Sequence, residues 1–105
     1  MKIYLIDNTR KLKKVGKELQ EYFNIETKEN CKFKMTKNDY VILSDEVGNL
    51  EGLEKLKNII ILTIKKDYKY IWRLVNNHKA LDIIDNALDE NYIAQRIEKL
   101  VRRGL

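Results

Sequence analysis

The stretch from Asp39 to Asp45 constrains the fold of this chain more than any other part of the sequence. It contains an unbroken apolar run, Tyr40 to Leu43, that ends abruptly at Ser44 and Asp45. A short continuous apolar run with β-branched residues is typical of a strand that is buried on both faces. In open parallel α/β sheets, ligands bind at the carboxyl ends of such strands. The sequence therefore predicts a central strand that places polar groups at one edge of a sheet.

Strands and amphipathic helices are predicted to alternate along the rest of the chain. Further strands are expected at residues 2–6, 25–28, 59–62 and 81–84. Helices with one apolar stripe are expected at residues 10–23, 50–56, 68–75 and 89–103. The segment between the second and central strands has little room for a full crossover helix. This alternation predicts a three-layer, doubly wound α/β domain with a five-stranded parallel sheet and right-handed crossovers.

Length, cysteine content and charge narrow the class of protein. At 105 residues the chain is expected to form one domain, residues 1–105, and no apolar run suits a membrane helix or a secretory signal. The single cysteine, Cys31, cannot form an internal disulfide, which favours a reducing compartment and hence the cytoplasm. The net charge of +5 could suit nucleic acid, but the lysines are spread over helices and loops. Direct binding of nucleic acid is therefore not expected.

Five segments carry motifs in a familiar order. They are Leu-Ile-Asp-Asn at 5–8, Asp-Tyr-Val-Ile-Leu-Ser-Asp at 39–45, Ile-Ile-Leu-Thr at 60–63, Leu-Asp-Ile-Ile-Asp-Asn-Ala-Leu at 81–88, and the helix at 92–103. Together they resemble the receiver domain of two-component response regulators, the CheY-like superfamily. The resemblance implies strand order 2-1-3-4-5, with a shortened or missing second helix. It also implies a role in signal transduction, as part of a two-component-type or transcription regulator.

The residues that correspond to the phosphate and metal site depart from the receiver pattern. An acidic pair follows the first strand in the family; here Asp7 matches one member and Asn8 replaces the other. Ser44 falls where the family has its phospho-accepting aspartate, and Asp45 comes one residue late. A one-residue shift turns a strand side chain to the opposite face unless a bulge restores it, so Asp45 is a poor acceptor candidate. Asp7 and Asp45 are the metal candidates, and a weak Mg²⁺ site is the one cofactor suggested.

Two further positions correspond to switch residues of the family. Thr63 supplies the hydroxyl at the end of the fourth strand, and Asn86 replaces the lysine that follows the fifth. Asn86 can donate a hydrogen bond but has no charge. It therefore lacks the electrostatic stabilisation that a lysine gives to a phosphoryl group.

In receiver-like domains the fourth helix, fifth strand and fifth helix form a common dimer or partner face. The resemblance implies that this face binds a protein partner or a second copy of the chain. Tyr68 and Trp72 fit the inward stripe of the fourth helix and are expected to pack in the core, whereas Tyr70 lies off that stripe and is expected to be exposed. The candidates for the interaction face are Tyr70, Trp72 and Arg96.

These departures predict an atypical receiver that is not an enzyme and acts through protein–protein contacts largely independently of phosphorylation. Two alternatives stay open. One is a working receiver that accepts phosphate on Asp45 with Mg²⁺ bound by Asp7, and the other is a small basic α/β domain that binds nucleic acid through its lysines. The sequence contains no glycine-rich phosphate loop, metal-ligand motif or nucleophile–base pair that would indicate another enzyme.

Overall fold

Five parallel strands form one sheet in the structure, a computed structural model that describes residues 1–6, 9–47, 52–65, 67–77 and 79–104. The strands are β1 (Lys2–Ile6), β2 (Asn24–Lys28), β3 (Tyr40–Ser44), β4 (Ile59–Thr63) and β5 (Asp82–Asp85). Their order is β2-β1-β3-β4-β5, and every neighbouring pair is parallel. The predicted fold class and strand order are confirmed. Within the described ranges, no helix has the length and apolar character needed to cross a membrane.

Three α-helices cover the two faces of the sheet. They are α1 (Arg10–Leu19), α2 (Tyr68–Asn77) and α3 (Glu90–Gly104). Leu12 of α1 and Ile97 of α3 share one apolar core with the sheet. Leu74 of α2 belongs to a second core on the opposite face. The sheet is therefore the middle layer of three, as predicted.

The two central strands are buried along their whole length. Every residue of β3 and of β4 is buried. Successive side chains alternate between the two cores: Ile60 and Leu62 face α1 and α3, whereas Ile59 and Ile61 face the side of α2. Each such side chain contributes about 1.5–3 kcal/mol when it is fully buried. The continuous apolar runs in the sequence are explained by this burial on both faces.

The described segment between β2 and β3 contains no α-helix, as the sequence predicts. Cys31 is buried there, and Phe33 and Met35 are half-buried against the core on the α2 side. The ring of Phe33 packs against that of Tyr4, with centroids 4.6 Å apart. Alternating apolar side chains of this extended segment thus cover the part of the sheet that a second helix would cover.

The first helix is shorter than the predicted 10–23 and ends at Leu19. The amides of Tyr22 and Phe23 both donate to the carbonyl oxygen of Leu19, which closes a turn. The turn is required because β2 begins at Asn24 and must run parallel to β1. Tyr22 is consequently exposed and does not join the core.

The orientation predicted for α2 is wrong. Tyr68 and Trp72 are 82% and 57% exposed, whereas Tyr70 and Leu74 pack against the core on this face. Residues four apart lie on the same side of a helix, so Tyr70 and Leu74 form an inward stripe of their own. The sequence contains both stripes on one helix, and the stripe with Tyr70 and Leu74 is the one that packs on the core of this face.

Two smaller predictions also differ from the structure. The helix expected at 50–56 is a single 3₁₀ turn at Leu53–Lys55 in the described part of this segment, and Leu50 lies outside the described residues. The last strand begins at Asp82 where 81 was predicted, which leaves Leu81 exposed. Asp82, the first residue of β5, is thereby placed to accept hydrogen bonds from Arg96.

Asp39 joins the start of β1 to the segment that precedes β3. Its side chain is buried, and its two carboxylate oxygens accept hydrogen bonds from the amides of Lys2 (2.9 Å) and Thr36 (2.8 Å). Desolvation alone would raise the pKa of Asp39, but the hydrogen bonds from these amides outweigh it and hold the pKa below the ordinary 3.8. The charged form of Asp39 therefore stabilises the fold.

We predict that Asp39→Asn lowers the free energy of unfolding by about 2 kcal/mol at neutral pH, because one charge-assisted hydrogen bond is lost and a second donor faces the amides. The contribution of Asp39 is complete above pH 3.8 and is lost as the pH falls through its lower folded-state pKa. Urea unfolding at several pH values should therefore show the difference between wild type and variant shrinking towards low pH. Glu21→Gln, at an exposed carboxylate, is the control and should match wild type. A pH-independent difference would contradict the prediction.

Candidate functional site

The parallel pairing of β3 with β4 places Asp45 beside Thr63. Ser44 is paired with Leu62, so the residues that follow them lie side by side at the carboxyl edge of the sheet. Asp45 is only 4% exposed, Thr63 is also buried, and the Thr63 hydroxyl donates to Asp45 Oδ2 over 2.5 Å. The acceptor candidate and the switch candidate, which come from different motifs of the sequence, therefore form one hydrogen-bonded pair.

The second carboxylate oxygen of Asp45 is also hydrogen-bonded. The amide of Ile64 donates to Oδ1 over 2.9 Å, so both oxygens of Asp45 accept from the end of β4 and the residue after it. Ser44 is buried, and its Oγ accepts from the amide of Glu46 at 3.2 Å. By strand alternation Ser44 faces the α1–α3 side and Asp45 the opposite side. The hydroxyl at the family's acceptor position is thus turned away from Thr63.

Tyr70 of α2 completes the buried cluster around Asp45. Its hydroxyl is buried but makes no hydrogen bond of normal geometry with the described residues. Burial is the main cause, and the negative charge of nearby Asp45 the second, that raises the pKa of Tyr70 to about 12. On the ring, Lys65 Nζ lies 4.4 Å from the centroid, a cation–π contact. The Asp45 carboxylate is therefore enclosed by groups of its own chain.

An open cleft of about 610 Å³ lies at the carboxyl edge of the sheet. It is lined by Thr9, Arg10, Lys11, Lys14, Glu46, Asn86 and Glu90, and Asp45 is not among these residues. The side-chain oxygen of Asn86 is buried without a hydrogen-bond partner among the described residues. The backbone N–H of Asn86 donates to the carbonyl oxygen of Thr63. Lys11 Nζ and Lys14 Nζ each lie 3.7 Å from Glu90 Oε1. The cleft is consequently richer in cations than in carboxylates.

Only part of the predicted Mg²⁺ site lies within the described residues, so the site stays a prediction. Asp7 and Asn8 lie outside them, so that half of the predicted site has no structural account. In the described ranges, no group of three or more His, Cys, Asp or Glu side chains is placed to hold a metal ion. Mg²⁺ requires near-octahedral oxygen ligands, and the carboxylate oxygens of Asp45 already accept hydrogen bonds in a buried position. Binding of Mg²⁺ by Asp45 would therefore have to compete with these hydrogen bonds.

The three candidates for the interaction face lie in different environments. Trp72 is exposed, whereas Tyr70 points into the core. Arg96 is partly exposed, and its Nε and Nη2 donate to the two carboxylate oxygens of Asp82, each over 2.7 Å. The hydrogen bonds to Asp82 raise the pKa of Arg96 and join α3 to β5. Of the three, Trp72 is the one that presents its side chain freely to solvent.

Sequence reasoning missed two neighbours of these candidates. Lys65 follows Thr63 by two residues, at the same edge of the sheet as Asp45. This position just after a strand end could have indicated from the sequence that Lys65 lies near Asp45. The pairing of Asp82 with Arg96 had none, because the two residues lie on different elements and no local pattern connects them.

We predict that Tyr70 remains protonated when exposed tyrosines ionise. The absorbance change of the native protein between neutral pH and about pH 11 should be the same in Tyr70→Phe as in wild type, because the phenol at 70 titrates near 12. In wild type, stability should fall as the pH rises above about 10, since the unfolded chain then ionises Tyr70 and the folded chain does not. A smaller absorbance change in Tyr70→Phe would contradict the buried position.

Comparison with known proteins finds similarity at the level of the fold. No protein-family model matches the chain, and no curated protein matches it in sequence. Among solved structures it is similar to the response regulator DrrB of Thermotoga maritima, an OmpR/PhoB homologue (TM-score 0.76, 19% identity, covering 98% of this chain and 53% of that one). A response regulator receiver protein of Pseudoalteromonas atlantica matches over 100% of both chains, with a TM-score of 0.76 and 15% identity. A CheY-like receiver domain protein of Methanospirillum hungatei matches over 97% of this chain and 94% of that one, with a TM-score of 0.70 and 16% identity. The chain spans about half of DrrB and has the fold of a response-regulator receiver domain.

Proposed function

We propose that this chain is an atypical receiver module for signal transduction that is not an enzyme and acts by protein–protein contact, independently of phosphorylation. The observation that carries the proposal is the buried Asp45 carboxylate, whose two oxygens accept from Thr63 and from the Ile64 amide. A setting in a two-component or transcription regulator, and a cytoplasmic location, belong to the same proposal. They are supported by the fold shared with response regulators such as DrrB.

Phosphorylation of Asp45 requires a carboxylate oxygen that is free to attack a phosphodonor. In this chain both oxygens already accept hydrogen bonds, and the side chain would have to leave a buried position that does not line the cleft. A developing phosphoryl charge would also lack the positive charge of the lysine in the receiver pattern, since neutral Asn86 stands in that position. These features favour a carboxylate that holds the ends of β3 and β4 together rather than one that reacts.

Three exposed side chains of α2 support binding of a protein. Tyr68, Trp72 and Val75 are spaced four and three residues apart, so they form one stripe along the helix, and all three are exposed. Aromatic residues are enriched in the buried centres of protein interfaces. Arg96, oriented by Asp82, contributes a charged group on the α3 part of the same proposed face. The occupant we propose is a second copy of the chain or another protein with an apolar anchor site.

The first prediction from this function is that the protein does not accept a phosphoryl group. Incubation with Mg²⁺ and acetyl phosphate, followed by intact mass measurement, should leave the wild-type mass unchanged, because Asp45 is buried and both of its oxygens accept hydrogen bonds. A receiver domain that accepts phosphate serves as the positive control. A single phosphoryl adduct that is lost in Asp45→Asn would show a working receiver and would overturn the proposal.

The second prediction assigns the partner face to α2. Trp72 is the only tryptophan, so its fluorescence emission reports directly on this surface. If a second copy binds here, emission should shift to shorter wavelength and the sedimentation coefficient should rise with protein concentration. Trp72→Lys should abolish the rise, because it places a charge in the apolar stripe. Tyr22→Lys, at an aromatic of matched exposure (56%) outside the stripe, should not.

Association that persists in Trp72→Lys would contradict the assigned face. A wild-type protein that stays monomeric at every concentration would exclude the second copy and leave a different protein as the occupant. In that case the same pair of variants distinguishes the faces in a binding measurement with that protein.

A further inference from the structure

The exposed side of α1 carries a row of cations. Arg10, Lys13, Lys14 and Lys17 are all exposed, and their spacing places them within about 100° of the helix circumference. The helix contains five cations and one carboxylate, Glu18, and so has a net charge of +4, against +5 for the whole chain. Although the lysines are spread along the sequence, most of the net positive charge of the chain therefore lies on α1.

Most of this row has no carboxylate partner. In the described part of the chain, Arg10, Lys13 and Lys17 form no ion pair, and Lys14 lies 3.7 Å from Glu90. Each member of the row has a like-charged neighbour three or four residues away, an arrangement that destabilises a helix. The first turn of α1 also contains no acidic residue to offset these charges. An anionic partner along this face would relieve the repulsion.

We propose that the cation row of α1 binds the phosphate backbone of a nucleic-acid duplex without reading its bases. From residue 10 to residue 17 the helix rises about 10 Å. Over that distance one strand of a duplex presents about three phosphates, at about 3.4 Å of axial advance each. Flexible lysine and arginine side chains in a single row can each reach a phosphate along such a line. Contacts of this kind give affinity and orientation but carry no sequence information.

The composition of the face distinguishes nucleic acid from an acidic protein. The exposed residues of α1 itself are four cations and Glu18, with no aromatic or aliphatic side chain among them. Buried centres of protein interfaces are depleted of lysine and enriched in aromatic residues. Tyr68 and Trp72, two exposed aromatic residues, lie on α2, which packs on the other face of the sheet. Two others, Tyr22 and Tyr92, lie beyond the end of α1 and on α3. The two exposed surfaces therefore suit two chemically different partners.

The test measures binding of a fluorescently labelled DNA duplex of arbitrary sequence by anisotropy at several salt concentrations. Lys13→Gln/Lys17→Gln is compared with Lys99→Gln/Arg103→Gln, a control that neutralises two exposed cations of α3. The two double variants have the same net charge, and glutamine preserves helix propensity. The α1 variant should bind more weakly and lose about 1.8 from the slope of log affinity against log salt, since each phosphate contact contributes about 0.9. The α3 variant should keep the wild-type slope.

Three results would overturn the proposal. Equal weakening by the two double variants would mean that binding follows net charge and not the α1 row. Competition by a polyglutamate peptide as effective as unlabelled duplex would indicate an acidic protein as the partner. Absence of duplex binding by wild type at about 50 mM salt would exclude the site, because phosphate contacts are strongest at low ionic strength. Circular dichroism of both variants verifies that α1 is intact, and neither variant alters Asp45 or Trp72, so the proposed function is tested separately.

Discussion

The register of β3 against β4 is the constraint on which the site and much of the core depend. Pairing Ser44 with Leu62 aligns two runs of large apolar side chains, so that each strand contributes alternately to both cores. The same register places the next residues, Asp45 and Thr63, in hydrogen-bonding contact at the strand ends. A shift by one residue would exchange the two faces of a strand that is buried on both sides. Core packing and the position of the carboxylate are therefore set by one pairing.

In the proposed function, the surroundings of Asp45 separate the receiver fold from phosphoryl transfer. Asp45 lies beneath the edge of the sheet, in contact with Thr63 and near Tyr70, and the open cleft is lined by other residues. A buried carboxylate with both oxygens hydrogen-bonded is stable as it stands, and exposing it would break those contacts. The cluster thus connects β3, β4 and α2 structurally. A rigid edge of this kind is consistent with a module that presents surfaces to partners.

The two sides of the sheet present different surfaces to solvent. On the side of α2, the stripe that includes Tyr68 and Trp72 offers aromatic area, which favours contact with protein. On the other side, α1 exposes a row of cations with few carboxylate partners, which favours contact with phosphates. The parallel topology, which alternates helices between the faces, is what keeps the two surfaces apart.

The sequence by itself determined the architecture of this protein. The continuous apolar runs at 40–43 and 59–62 allow little except buried strands, and the short segment after β2 excludes a full second helix. The motif order made the strand order predictable through its resemblance to receivers. Tertiary structure alone decided which side of α2 faces the core, because helical periodicity favours the stripe with Trp72 whereas packing buries the stripe with Tyr70. It also decided that Thr63 hydrogen-bonds to Asp45 and that Arg96 hydrogen-bonds to Asp82. These contacts join distant segments, and their positions depend on strand register and helix packing, which no local sequence pattern encodes.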